Sequence, residues 1–206
     1  MCQFPLFETI SVIDGKAQNL AYHQQRFEQA MQTYFHSQAQ WQLADVIQVP
    51  TDFQQGLVRC RIDYNASEFQ LQFFHYTPRT INRFKCVYTE NLDYRFKYSD
   101  RKRLDSLKNL QSDEVIIINN GKVSDCTIGN LLFAKQWQWF SSQDYLLKGT
   151  QLTKLIEIGL VQLVEITPQD LASYDQIMMV NALNPFDLQR ALPISVIDFK
   201  DEIEKP

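Results

Sequence analysis

Strand-like runs follow one another along this chain with helices between only some of them, which predicts an α+β fold and not a doubly wound parallel sheet. Residues 57–64 and 69–76 are two such runs, joined by Asn65-Ala66-Ser67-Glu68, a short polar connection typical of a hairpin. Leu20, His23, Phe27, Ala30, Met31, Tyr34 and Phe35 recur at three- and four-residue steps, marking one face of an amphipathic helix from residue 20 to about 37. Residues 77–82 follow neither period and form the best linker. They divide the chain into a small N-terminal α+β domain, 1–78, and a larger, β-rich C-terminal domain, 79–206.

The elements are expected in this order. A strand over 4–13 ends at Asp14-Gly15, a dipeptide that favours a tight turn, and Asn19 is a plausible N-cap for the first helix. A weaker helical stretch covers about 41–49 and stops at Pro50. Past the linker come a strand near 85–90, a segment around Lys97 and a helix over about 101–110. Residues 115–118 and 122–125 read as strands about an Asn120-Gly121 turn, and 131–140 continues the sheet. A helix from about 150 to 160 places Leu152, Leu155, Ile156, Gly159 and Leu160 on one face. Strands at 164–166 and 176–180 flank a short helix at 168–174.

Composition excludes several classes of function. The net charge of -4 leaves no basic footprint for nucleic acid or an anionic membrane. Arg101-Lys102-Arg103, between Asp100 and Asp105, reads as the solvated face of a helix. No window reaches 18 consecutive apolar residues, and residues 1–5 lack the pattern of a signal peptide, so a cytoplasmic protein is expected. Cys2, Cys60, Cys86 and Cys126 form no C-x-x-C pair and read as reduced thiols. With His23, His36 and His75 the only histidines, and no two at ligand spacing, no metal site is expected.

Four local patterns carry chemistry. The first is Phe7-Glu8-Thr9, then Asp14-Gly15, then His23-x-x-Arg26; arginine offers phosphate a permanently charged planar fork of donors. The second is Phe96-Lys97-Tyr98-Ser99-Asp100-Arg101, where aromatic neighbours suit the desolvated setting a nucleophilic lysine needs. The third is Asn120-Gly121-Lys122-Val123-Ser124-Asp125, with Asn130 five residues on. The fourth is Leu146-Leu147-Lys148-Gly149-Thr150 directly before a helix, where amides, a glycine and a hydroxyl make a phosphate cradle. Taken singly each is ordinary: Arg26 a surface helix residue, Asp125 a strand end, Thr150 a cap. Lys85, Lys97, Lys102 and Lys108 are not ranked by their own surroundings.

In this order and at these separations, the four patterns resemble the class IV aminotransferases, the fold-type IV pyridoxal-phosphate enzymes, over nearly the whole chain. The resemblance implies a two-domain enzyme that binds pyridoxal 5'-phosphate as a homodimer, with the cofactor in a cleft between domains. It assigns Lys97 as the Schiff-base and catalytic lysine, Arg26 and Gly149-Thr150 as phosphate ligands, and Asp125 as the acid on the pyridine nitrogen. Val180-Asn181-Ala182-Leu183 matches a further strand end, which adds Asn181 and Ala182 to the cofactor site. Two positions depart from the pattern: most members have glutamate where Asp125 stands, and many have arginine where Gln151 stands. The family includes branched-chain and D-amino-acid aminotransferases and 4-amino-4-deoxychorismate lyase, and Lys97-x-x-Asp100-Arg101 looks slightly closer to the lyase. Arg59, Arg61 and Arg79 all stand open as the substrate-carboxylate arginine. The implied activity is aminotransferase or lyase on a small amino acid or aminodeoxychorismate-like substrate, with no nucleic-acid or membrane partner. A degenerate member that binds cofactor or a partner without turnover is the alternative.

Overall fold

The computed structural model describes residues 2–108 and 110–199. β1 (Leu6–Ile13) turns through Asp14 and Gly15, both at positive φ, into β2 (Lys16–Ala17). α1 (Leu20–Thr33) and α2 (Leu43–Val46) lead to the hairpin of β3 (Leu57–Tyr64) and β4 (Phe69–His75). These strands form one antiparallel sheet in the order β2-β1-β3-β4. Strand alternation decides what each face carries. Leu6, Ile10 and Val12 of β1 and Val58, Cys60, Ile62 and Tyr64 of β3 share a core with Phe27, Ala30 and Met31 of α1. Glu8 has the parity of Leu6 and Ile10, so the same alternation carries a carboxylate inward beneath α1, where it is 1% exposed.

Residues 76–83 hold no helix or strand. Beyond them come β5 (Phe84–Thr89), α3 (Lys102–Asp105), β6 (Glu114–Asn119) and β7 (Lys122–Val123). They are followed by β8 (Asn130–Lys135), β9 (Gln138–Ser142), α4 (Thr150–Glu157) and β10 (Val161–Val164). β11 (Gln176–Val180), β12 (Leu192–Pro193) and β13 (Ile197–Asp198) complete the order. A mixed sheet runs β13-β5-β6-β7 and a second runs β10-β9-β8-β11-β12. Phe84, Ile116 and Ile118 of the former pack with Leu131, Phe133 and Ile177 of the latter in one core. The α+β class expected from the sequence is the class observed.

Several local expectations are corrected. Asn19 stands at the N-cap of α1 as expected, but it caps without a side-chain bond: it sits in the left-handed region at φ 53, and its carbonyl accepts the amides of Tyr22 and His23. The stretch 41–49 keeps one helical turn, fastened to α1 by a bond from the Leu43 amide to Gln24 Oε1. The helix expected over 101–110 is the single turn α3, because Leu104 alone is buried there and supplies too little contact to hold more turns; Asn109 lies outside the described residues. The strand expected at 164–166 sits at Val161–Val164, drawn there by parallel pairing with β9, and 168–174 folds as a 3-10 helix, Pro168–Ser173.

The run 131–140 is two strands of a different sheet, reversed at Gln136-Trp137 with φ of 50 and 68. That turn needs positive φ at both positions, yet neither residue signals it. Trp137 is fully exposed and holds a conformation costly for a bulky side chain. Trp137→Gly is therefore expected to raise stability by up to about 1 kcal/mol, the left-handed strain relieved less the added chain entropy. A urea unfolding midpoint lower than wild type would contradict this account of the turn.

Candidate active site

Glu8 joins three side chains in the first core. Its carboxylate accepts Arg26 Nε at 2.8 Å and Arg26 Nη2 at 2.6 Å, and His23 Nδ1 lies 2.7 Å from Oε2. Burial opposes its charge, but Arg26 and His23 outweigh that and hold its pKa at about 2. The carboxylate thus fixes Arg26 in a bidentate grip, while Thr150 Oγ1, at the start of α4, lies 3.3 Å from His23 Nε2. Glu8 and His23 were visible in the sequence only as parts of the first pattern, neither with a role of its own. The signal that could have found the pair is a carboxylate on the inward parity of an apolar strand, opposite a helix bearing His and Arg one turn apart.

Lys97 owes its place to a gap in a strand edge. β2 covers β1 only at Val12 and Ile13, which leaves the edge of β1 open further back. There the Phe7 amide donates to Lys97 O at 3.0 Å, Ser99 N donates to Pro5 O at 2.8 Å, and Leu6 bridges Tyr98. Phe96 and Tyr98 pack against the first core, and Lys97 Nζ lies 4.7 Å from the centre of the Phe7 ring. Burial first, then the Arg26 guanidinium, lowers the Lys97 ammonium to about 7 against the opposing pull of Glu8. A large neutral fraction is what makes an amine nucleophilic at neutral pH.

Asp125 and Asn130 organise the loop before α4. Asp125 Oδ2 accepts the amides of Leu146 and Leu147, each at 3.0 Å, and Oδ1 accepts Asn130 Nδ2 at 2.7 Å. Asn130 also donates to Leu147 O and accepts the Gly149 amide at 3.1 Å. Burial pushes the Asp125 carboxyl up to about 7 in spite of these donors. Gly149 lacks a side chain for a reason other than the one the sequence suggested: a Cβ there would strike Asn130 Oδ1. Its amide is taken, so the donors that the turn holds for an anion are the Thr150 hydroxyl and the first amides of α4, which have no acceptor within the helix.

Asn181 and Ala182 divide in the same way. The Asn181 side chain donates to Ile128 O and accepts the amides of Leu183 and Asn184, and its own amide donates to Asn184 O. It builds the turn, while no described residue accepts from the amide of Ala182.

Lys97, Arg26, Asp125, Gly149, Thr150, Asn181 and Ala182 all line one cavity of about 350 Å³. Its other wall is basic. The outward parity of β3 brings Arg59 and Arg61 there, joined by Arg79, Arg101 and Lys108. Arg61 pairs with Asp63 and lies 3.9 Å from the Phe7 ring centre. Arg101, expected on a solvated helix face, instead turns inward to Thr127 O at 2.7 Å and Tyr94 Oη at 3.0 Å. Arg79 donates to Asp113 O. Arg59 stacks 4.6 Å over Phe74, and its buried Nε has no hydrogen-bond partner among the described residues. Among the described residues no group of three His, Cys, Asp or Glu is placed to hold a metal, and no helix is long and apolar enough to cross a membrane.

Residues 99–194 match the sequence profile of amino-transferase class IV. An uncharacterized protein of Haemophilus influenzae is 40% identical over 185 residues, 88% of this chain and 98% of that protein. A crystal structure from Haemophilus somnus, of a protein provisionally assigned as a 4-amino-4-deoxychorismate lyase, is 40% identical with a TM-score of 0.84 and covers 90% of this chain and 100% of that one. A hypothetical aminotransferase from Mycobacterium tuberculosis in its PLP-bound form shares the fold, at 15% identity and a TM-score of 0.76, over 99% of this chain and 84% of that one. The fold is that of the fold-type IV enzymes. The chain belongs to the class IV aminotransferase family, whose members depend on pyridoxal phosphate.

The Glu8 pKa sets an expectation for acid stability. Because the folded value, about 2, lies below the ordinary 4.5, its contribution is full above 4.5 and is lost as pH falls toward 2. Glu8→Gln leaves the Arg26 charge without its counter-ion and is expected to cost on the order of 3 kcal/mol or more at neutral pH, read by urea unfolding. It should also flatten the loss of wild-type stability between pH 4.5 and 2. An acid limb equally steep in the variant would show that Glu8 is not the group responsible.

Proposed function

We propose that this chain is a pyridoxal-phosphate-dependent lyase acting on an amino-bearing substrate with two carboxylates, of the 4-amino-4-deoxychorismate type. The observation that carries the reading is the joint lining of one cavity by Lys97 and a basic wall containing Arg59, whose buried Nε has no partner among the described residues. The assignment of the 40%-identical Haemophilus somnus protein supports the same choice.

The residues fit the cofactor. Arg26 and Thr150, with the open amides of α4 and Ala182, would hold its phosphate, Lys97 its aldehyde carbon, and Asp125 its ring nitrogen. When bound, pyridoxal phosphate supplies an electron sink for charge developing at the carbon that bears the substrate's amine. Asp125 has one lone-pair direction left on Oδ1 beside the bond from Asn130, and a cationic N–H there would favour the ionised carboxylate that burial disfavours. Lys97, as an amine with a pKa near neutrality, would take the proton from the carbon that bears the substrate's amine and give it to the departing three-carbon enolate, which leaves as pyruvate. Arg59 is held flat by Phe74 and meets a carboxylate without first breaking an ion pair.

The test is pyruvate release from 4-amino-4-deoxychorismate by the cofactor-loaded protein, followed through a coupled dehydrogenase, with no keto acid added. Transfer of an amino group to 2-oxoglutarate without pyruvate release would make the protein an aminotransferase, and absence of both would make it a binder without turnover. Arg59→Met is expected to raise KM at least tenfold with kcat changed far less, since it removes a ground-state carboxylate contact. An unchanged KM would exclude Arg59 from that role.

A further inference from the structure

Glu8, His23 and Thr150 form a chain of hydrogen bonds whose protons are fixed from one end. The Glu8 carboxylate is ionised and already accepts Arg26, so His23 Nδ1, 2.7 Å away, is the donor between them. His23 has no exposed surface, and a buried imidazole without a second acceptor is neutral. Its Nε2 then carries a lone pair, and the Thr150 hydroxyl, 3.3 Å away, gives that lone pair its single hydrogen. The same hydroxyl lines the cavity beside Arg26. A phosphate dianion has acceptors only, so one hydroxyl hydrogen cannot serve both the imidazole and the phosphate.

We propose that binding of a phosphate monoester dianion between Arg26 and Thr150 is coupled to proton uptake by His23, which makes His23 a positioning residue for the phosphate. This inference rests on the cofactor reading above. The Thr150 hydrogen turns to a phosphate oxygen; Nε2 takes a proton from solvent and donates it to Thr150 Oγ1. The Thr150–His23 bond is long, so little is lost when the hydroxyl turns. Glu8 from β1 and the incoming dianion favour the imidazolium, whereas Arg26 from α1 and Lys97 oppose it. Burial first, helped by those cations, keeps His23 neutral until the anion arrives. The coupling also holds the phosphate more tightly at lower pH, by up to about tenfold per unit in the range where one proton is taken up.

The chain has three histidines, so nitrogen-detected NMR of the imidazoles reads His23 directly once His36 and His75 are assigned by substitution. The probe is 4-deoxypyridoxine 5'-phosphate, which has no aldehyde to react with Lys97, added at pH 8.5, where its phosphate is a dianion. The expected result is a neutral Nδ1–H tautomer in the free protein and protonation of both ring nitrogens in the complex. Calorimetry in buffers of different ionisation enthalpy should show wild type taking up one more proton on binding than His23→Gln does. Saturated binding with Nε2 still unprotonated overturns this inference and leaves the cofactor reading intact. Failure of the probe to bind at all overturns both.

Discussion

The ion pair between the buried Glu8 carboxylate and the half-buried Arg26 guanidinium is the interaction from which most of the site takes its position. A carboxylate on the inward face of β1 has to find cations, and α1 supplies His23 and Arg26 on consecutive turns of the face that covers it. The bidentate geometry fixes the roll of α1 on the sheet, aims the remaining Arg26 donors at the cavity and, through His23, ties α1 to the first residue of α4. The Arg26 charge is in turn the largest electrostatic influence on Lys97, second only to burial in making that amine reactive. An interaction that looks like core architecture therefore sets the chemistry of a lysine far away in sequence.

A second buried carboxylate does the corresponding work on the far side. Asp125 and Asn130 gather the amides of Leu146, Leu147 and Gly149, and in doing so they fix where α4 begins. Both devices hold the same cavity from opposite ends, and Lys97 lies between them on the open edge of β1. One carboxylate is kept ionised by cations and the other is left without one. The empty charge balance at Asp125 suits a ligand that brings a protonated nitrogen, and the surplus of cations at Arg26 and Lys97 suits one that brings a phosphate.

The α+β class, the long strands and the first helix were legible because their apolar periods are long and regular. What the sequence hid was set by contacts distant along the chain. The Gln136-Trp137 turn carries no residue type that favours it, and the helix past Lys97 shrank to one turn because Leu104, with a partly buried Leu107 beside it, found too little core. Arg101 looked like part of a solvated charge run until Thr127 and Tyr94 were seen to receive it. Of the site, the seven residues named from the family pattern converge on one cavity, but their divisions of labour were not readable. Gly149 serves Asn130, Asn181 serves its own turn, and Glu8 and His23, which carry the network, stood in the first pattern without a role of their own.

The claim on which the account stands is that Lys97 holds the cofactor. Incubation with pyridoxal phosphate, borohydride reduction and peptide mapping by mass spectrometry tests it directly. The account predicts one pyridoxyl group per chain, on Lys97, with labelling that rises as pH passes through about 7 and vanishes in Lys97→Ala. Labelling on Lys85, Lys102 or Lys108 instead, or none under conditions that saturate the phosphate site, would contradict it.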